Sequence, residues 1–139
     1  DTNGYSIEIK PTAGGSDETE SGIIATLTAG EILAFGEVCY LKSDGKYWLA
    51  DADTDTTMPA VVMALAAISA DATGSFLKRG FVRDDTWNWT VGGLIYASTT
   101  AGAISQTAPS GGGDQVQIIG YAYSADVMFF NPQYSLLEI

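Results

Sequence analysis

The sequence predicts an all-β fold, a compact β-barrel or sandwich of short antiparallel strands. The first reason is composition: 139 residues include 16 glycines and seven tyrosines, together with many Thr, Ser, Val and Ile residues, and this mixture favours strands joined by tight turns. The second reason is a strand–turn–strand pattern that occurs twice. Helical periodicity is scarce. A chain of this length forms one domain that can bury a sizeable core.

The repeated pattern covers Glu37–Ala66 and returns over Gly93–Ala122. Tyr40 and Tyr96 are 56 positions apart (96 − 40 = 56), and the apolar runs that begin at residues 62 and 118 have the same spacing (118 − 62 = 56). One spacing shared by two features indicates a duplicated unit of strand, tight turn, strand, loop and strand. The alternative is that any all-β chain yields similar short strands that end at Ser or Gly turns.

The first 29 residues are predicted to form an N-terminal strand and a flexible acidic arm. Tyr5–Lys10 alternates apolar and polar residues and stops at Pro11, which is typical of an edge strand. Ala13–Gly22 has no apolar residue larger than alanine and is predicted to be an exposed, mobile loop. Its acids could bind a cation, but such stretches are more often simply solvated. Residues 30–139 then form a β domain of two related halves, about 30–83 and 84–139.

Strands are predicted where apolar runs lie between turn signals. In the first part of the chain they are Ile23–Thr28, Glu37–Leu41, Lys46–Ala50, Ala60–Ala67 and Ser75–Arg83. In the second part they are Leu94–Ala97, Ala103–Thr107, Gln115–Ala122 and Val127–Phe130. Asp44-Gly45 is a hairpin signal. The small apolar residues of the 60–67 segment suit a short helix almost as well as a buried strand.

Trp87 and Trp89 form the most conspicuous local motif. At positions i and i+2 of a strand they would share one face and, beside Asp84 and Asp85, could form a platform on which a sugar stacks. The alternative, which we favour, is packing in the core or at a subunit interface. The paired carboxylates do not predict a glycosidase, because neighbours on a strand point to opposite faces and cannot flank one bond.

Asp51, Asp53 and Asp55 match the opening of a calcium-binding loop. The rest of that motif is absent, since Thr56 replaces the required glycine and Val62 replaces the bidentate glutamate. An irregular calcium site and a solvated loop are the two interpretations, and we predict no metal site. Gly111–Gly113 do not predict a phosphate site, because a strand rather than a helix follows them.

The net charge and the residue types present exclude several classes of function. The net charge of −11 would repel phosphate backbones, so we expect no nucleic-acid partner. No apolar run approaches the roughly 20 residues that span a bilayer. Cys39 lies in an apolar run of a chain without histidine, so we expect a buried core residue and not a catalytic thiol. Acid–base chemistry would depend on carboxylates alone, and we predict no enzyme, no catalytic residue and no cofactor.

The last six residues, Tyr134–Ile139, are apolar with one acid. An apolar chain end usually docks on its own domain or on a neighbour.

Several segments together resemble a known class of proteins. In the first half they are Gly30-Glu31, Asp44-Gly45-Lys46, Ala50-Asp51-Ala52, Met58–Ala64 and Lys78–Val82; in the second half they are Gly93–Gly102, Thr107–Ser110 and Val116–Ala122. The first-half segments resemble the small β domains on the outside of tailed-phage virions, in an order similar to that of capsid decoration (cement) proteins. The second-half segments are similar to repeats in phage fibre and head-fibre proteins. The resemblance covers about residues 30–132. Met63-Ala64 departs from it, since the decoration pattern has glycine between two apolar residues there, whereas Gly120 keeps it.

The resemblance implies a homotrimeric, non-enzymatic protein on the capsid surface of a virion, which binds the major capsid protein or a fibre stalk. We therefore expect a structural protein that stabilises the shell through subunit contacts. The alternative is a tail-fibre or receptor-binding domain that recognises a host surface glycan through Trp87, Trp89 or exposed tyrosines.

Overall fold

The computed structural model describes residues 7–139, and within them strands dominate. The strands of the first part are β1 (Thr19–Thr28), β2 (Val38–Leu41), β3 (Tyr47–Leu49), β4 (Val62–Ala64) and β5 (Thr73–Arg83). The strands of the second part are β6 (Leu94–Ala97), β7 (Ile104–Ser105), β8 (Gln115–Val116), β9 (Ile118–Ala122), β10 (Val127–Phe130) and β11 (Leu137–Glu138). One 3₁₀ turn, Asp55–Thr57, lies between β3 and β4.

Nine of these strands form one antiparallel sheet, curled into a half-barrel. Eight follow the order β3-β2-β4-β5-β10-β9-β6-β7, and β1 pairs with β5. A small second sheet joins β8 to β11. The all-β, antiparallel prediction is confirmed.

The duplication is visible in the strand order. In the first part the spatial order is β3-β2-β4-β5, and in the second it is β7-β6-β9-β10, which is the same path through four strands. The turns that precede β2 and β6 also match. Each contains a glycine with φ of 85°, Gly36 and Gly92 (92 − 36 = 56). In each turn a backbone N–H donates to the carbonyl three residues earlier, at 3.2 and 3.1 Å.

Strand β5 connects the two halves. β1 pairs with it over its whole length, so β4 and β10 occupy successive stretches of its other edge. Gly22 lies opposite Gly80 in this ladder, and the register shifts at Ile23/Ile24. Two parts of one curled sheet therefore diverge from a shared β1–β5 ribbon.

The main core lies inside the curl and contains side chains of both halves. Its large buried members are Val38, Met63, Leu77, Val82, Ile95, Ile119, Met128 and Phe130. A smaller core lies on the outer side of the first half, where Cys39, Val62 and Phe76 pack under Leu33 and Ile68. The chain thus covers the outer side of β2 and β4 with its own segments before and after them.

Two predictions about the N-terminal part need correction. Thr19–Gly22 belong to β1 and are only partly exposed, and Ala13 is buried, so the predicted loop over Ala13–Gly22 ends earlier. Ladder pairing with β5 orders these polar residues although they contribute little apolar surface. Ile7–Lys10 are not a strand, and Tyr5 lies outside the described residues. The domain boundaries remain predictions.

Three further predictions were partly wrong. The segment 60–67 contains a strand only at β4, and no helix. The predicted strand Gln115–Ala122 is interrupted at Gln117, whose side chain bonds to the backbone of Ala60. Trp87 and Trp89 lie in a non-strand segment between β5 and β6. There the chain turns, because the N–H of Trp87 donates to the carbonyl of Asp84 at 3.1 Å.

Candidate functional site

A row of aromatic side chains crosses the outer side of the second half. Phe81 of β5 lies opposite Phe129 of β10 in the antiparallel ladder. Phe129 in turn lies opposite Tyr121 of β9, and Tyr121 lies opposite Leu94 of β6. Residues that are partners across adjacent strands project from the same face. With Tyr123, these residues form what we call the outer aromatic face.

The rings of this face touch one another. Centroid distances are 4.9 Å for Phe81–Phe129, 5.4 Å for Phe81–Tyr123 and 5.5 Å for Tyr121–Phe129. The guanidinium carbon of Arg79 lies 5.7 Å from the ring of Phe129. Tyr121, Tyr123 and Leu94 are 41%, 48% and 44% exposed. The strands are about 5 Å apart, so the row presents a contiguous apolar surface to solvent.

The two halves differ in how their outer sides are covered. On the first half, Leu33 and Ile68 cover the outer side of β2 and β4, and their side chains are buried. On the second half, the corresponding side of β6 and β9 leaves Leu94 and Tyr121 accessible. The sequence pattern did not predict this face. The sequence pattern that could have indicated it is the pair Tyr121-x-Tyr123. Alternation with period two, however, does not say which side of the sheet another segment covers.

A second feature is a cleft of about 400 Å³, which we call the tryptophan cleft. Its walls include Phe35, Glu37, Trp87, Trp89, Thr100 and Ile104, and its other four lining residues are Gly or Ala. All three aromatic residues are half-buried. The two indole rings lie 5.4 Å apart with an angle of 47° between their planes. The structure thus brings the two predicted tryptophans together, though not on a strand.

The hydrogen bonding of two polar groups in this cleft can be described, the Glu37 carboxylate and the Trp89 indole N–H. Glu37 Oε1 accepts a hydrogen bond of 2.7 Å from the Ala34 N–H, and Oε2 has no hydrogen-bond partner among residues 7–139. The indole Nε1–H of Trp89 is buried and has no hydrogen-bond acceptor among residues 7–139. Phe35 and Glu37 were not predicted as site residues, because they lie some 50 positions before the tryptophans (87 − 37 = 50).

Three of the acidic residues singled out from the sequence accept hydrogen bonds from residues two positions away in the chain. Asp84 Oδ1 accepts from the N–H and the hydroxyl of Thr86, and Asp85 Oδ1 accepts from Arg83 Nε at 2.7 Å. This bond raises the pKa of the Arg83 guanidinium. Asp51 Oδ1 accepts from the Asp53 N–H at 3.0 Å. Across residues 7–139, no group of three Asp, Glu, Cys or His side chains converges as a metal ion would require.

Cys39 is fully buried, as predicted for a core residue. Burial, followed by the charges of Glu37 and Glu31, raises the pKa of its thiol. A thiol with a raised pKa stays protonated and is a weak nucleophile.

Two basic residues of the described part of the chain pair with nearby acids. Lys46 Nζ lies 2.6 Å from Asp71, and Arg83 pairs with Asp85. Lys42 instead lies 4.3 Å from the ring centroid of Trp48, and Arg79 lies over Phe129. The C-terminal segment docks on its own domain as β11, while Tyr134, Leu137 and Ile139 remain exposed.

The chain matches no protein-family model and no curated protein. Among the described residues, no helix is long and apolar enough to cross a membrane.

Proposed function

We propose that this protein is a non-enzymatic structural protein of the phage virion exterior, a capsid decoration (cement) or head-fibre subunit. The observation that carries the proposal is the outer aromatic face. The first half buries its outer side under the protein's own chain, whereas the second half leaves a row of aromatic side chains open. Aromatic residues at the centre of a surface supply much of the energy of protein–protein interfaces.

The charges of this face suit a neighbouring copy. Arg79 contributes a positive charge over Phe129, while the chain as a whole carries a net charge of −11. An acidic neighbour would therefore meet a basic group at this face, and complementary charges fix the orientation of docking. The proposed assembly is a homotrimer that contacts the major capsid protein or a fibre stalk.

The virion role is also supported by the resemblance of residues 30–132 to phage decoration and head-fibre domains. Such a protein works through binding alone. Each contact that exists only in the assembled shell adds stability by mass action. No proton transfer or covalent step is required, so the proposed residues are those of the outer aromatic face.

The test removes the exposed side chains of this face. We expect light scattering to give the wild-type protein a mass three times that of its 14.6 kDa chain. The double variant Tyr121→Ser/Leu94→Ser should be monomeric and should no longer cosediment with shells of the major capsid protein encoded in the same genome. Both side chains are exposed, so their loss should affect folding little.

The matched control is Ile32→Ser, which removes an apolar side chain that is 77% exposed but is not part of the outer aromatic face. It should keep both the trimer and shell binding. A monomeric wild-type protein that does not bind shells would contradict the proposal.

The second proposal is a tail-fibre or receptor-binding domain that recognises a host surface glycan. It is favoured by the half-exposed rings of Trp87 and Trp89 in an open cleft. A glycan that binds the wild-type protein but not Trp87→Ala would support it.

A further inference from the structure

The two indole rings of the tryptophan cleft form a corner. Phe35 comes from the turn before β2, and the two tryptophans come from the segment between β5 and β6. Since the indole planes meet at 47°, they do not form one flat wall. A flat ring suits the stacking of a sugar, whereas rings at an angle surround a compact group on more than one side.

The lining has few side chains that form hydrogen bonds. Among its ten residues, only Glu37, Thr100, Trp87 and Trp89 carry polar side-chain atoms, and the indole N–H of Trp89 is buried. A sugar brings several hydroxyl groups, and each one that loses water without a new partner weakens binding. A quaternary ammonium ion donates no hydrogen bond and requires only aromatic faces and negative charge.

The charge of the cleft also favours a cation. Glu37 contributes a carboxylate, and no lysine or arginine is among the lining residues. Oε1 of Glu37 is held by the Ala34 N–H, which fixes the carboxylate in place. The net charge of −11 attracts cations over a longer range.

We propose that the tryptophan cleft binds an organic cation of the quaternary ammonium class. The ammonium group lies against the faces of Trp87, Trp89 and Phe35, and Glu37 supplies the counter-charge. The volume of about 400 Å³ falls within the range of about 300–1,000 Å³ that is typical of small-molecule sites. The cleft shares no lining residue with the outer aromatic face, so this site is independent of the proposed virion role, whereas it uses the same two tryptophans as the glycan proposal and competes with it.

The test compares two ligands of the same shape on the unaltered protein. Choline carries a trimethylammonium group, and 3,3-dimethylbutan-1-ol carries a neutral tert-butyl group in its place. We expect choline chloride to change tryptophan fluorescence with saturation and to release or absorb heat in calorimetry. The neutral alcohol should bind at least about tenfold more weakly, because it lacks the cation–π and Coulomb attraction. Sodium chloride at equal ionic strength is the blank.

Variants then assign the site. Glu37→Gln keeps a carbonyl oxygen for the Ala34 N–H but removes the charge, so choline affinity should fall about tenfold and affinity for the alcohol should not change. Trp87→Leu should weaken choline binding, and Tyr121→Ser, on the outer aromatic face, should leave it unchanged. Circular dichroism checks that each variant is folded.

Three results would overturn the proposal. The first is equal affinity for choline and the neutral alcohol, which would indicate a purely apolar groove. The second is a choline dissociation constant weaker than about 10 mM for the folded wild-type protein. The third is saccharide binding that depends on Trp87 while choline does not bind, which would assign the cleft to a glycan. The ligand comparison needs no variant to fold.

Discussion

At the scale of single residues, the side-chain amides of two glutamines bond to the N–H and C=O of a distant residue, as the backbone of a neighbouring strand would. Gln117 accepts from the Ala60 N–H at 2.9 Å and donates to the Ala60 carbonyl at 2.8 Å and to that of Gln133 at 2.6 Å. Gln106 forms the same two-way contact with the backbone of Thr90, at 2.8 and 2.9 Å. The difference is burial, because Gln117 is fully buried and Gln106 is partly exposed.

This pair gives a matched prediction. Gln117→Leu leaves the N–H and C=O of Ala60 and the carbonyl of Gln133 without their partner inside the protein. A buried polar group that loses its partner costs about 1–3 kcal/mol, so the free energy of unfolding should fall by about 2–4 kcal/mol. Gln106→Leu removes the same type of contact where water can replace it, and should cost about 1 kcal/mol or less. Urea unfolding measures both, and equal losses would contradict this account.

At the scale of strands, β5 organises the sheet because it pairs with three others. β1 occupies one edge, and β4 and β10 share the other. The approach of β1 is close at Gly80, where an added Cβ would clash with the backbone of Ser21 and Gly22. Gly80 also has φ of 152°, a backbone conformation that residues with a side chain rarely adopt. A glycine in the middle of a strand therefore has a steric reason here.

Gly80→Ala should consequently destabilise the protein more than a turn glycine does. We expect a loss of about 2–6 kcal/mol, from backbone strain of about 1–3 kcal/mol and overpacking of about 1–3 kcal/mol. Gly45→Ala is the control, because Gly45 has φ of 83° but open space around its Cα. It should show only the strain, about 1 kcal/mol. Thermal and urea unfolding would measure the difference, and similar losses would show that the β1–β5 contact adapts.

At the scale of the whole molecule, the differing outer sides of the two halves and the net charge both bear on the proposed assembly. Both halves follow the same strand order, but within residues 7–139 only the first has an outer side covered by the chain's own segments. The uncovered side of the second half is therefore the surface that assembly would bury. Assembly brings together copies that each carry a net charge of −11, and like charges repel.

Salt should therefore strengthen the proposed assembly. The screening length falls from about 10 Å at 0.1 M to about 3 Å at 1 M salt, which weakens the repulsion between copies more than the contact of aromatic side chains. We expect the trimer fraction in light scattering to rise with sodium chloride for the wild-type protein. Tyr121→Ser/Leu94→Ser should remain monomeric throughout. A trimer that dissociates as salt rises would indicate an interface held mainly by ion pairs.

The duplication shows how far a sequence pattern can be read. The same period of 56 also relates the turns at Gly36 and Gly92, which share a φ of 85°. It did not assign the faces of the strands. Tyr40 packs in the main core. Tyr96 lies between Ile95 and Ala97, whose side chains are in that core, so the side chain of Tyr96 faces the other way. A slip of one residue between two copies exchanges the faces of a strand.

The sequence by itself determined the fold class, most strand positions, the Asp44-Gly45 hairpin and the duplicated unit. Each depends on neighbours within a few residues, through turn chemistry and period-two alternation. Only the tertiary structure decided the rest. It ended a strand at Gln117 in favour of a bond to Ala60, joined Phe35 and Glu37 to Trp87 in one cleft, and left the outer aromatic face uncovered. These features depend on which distant segments meet, and local residue preferences do not contain that information.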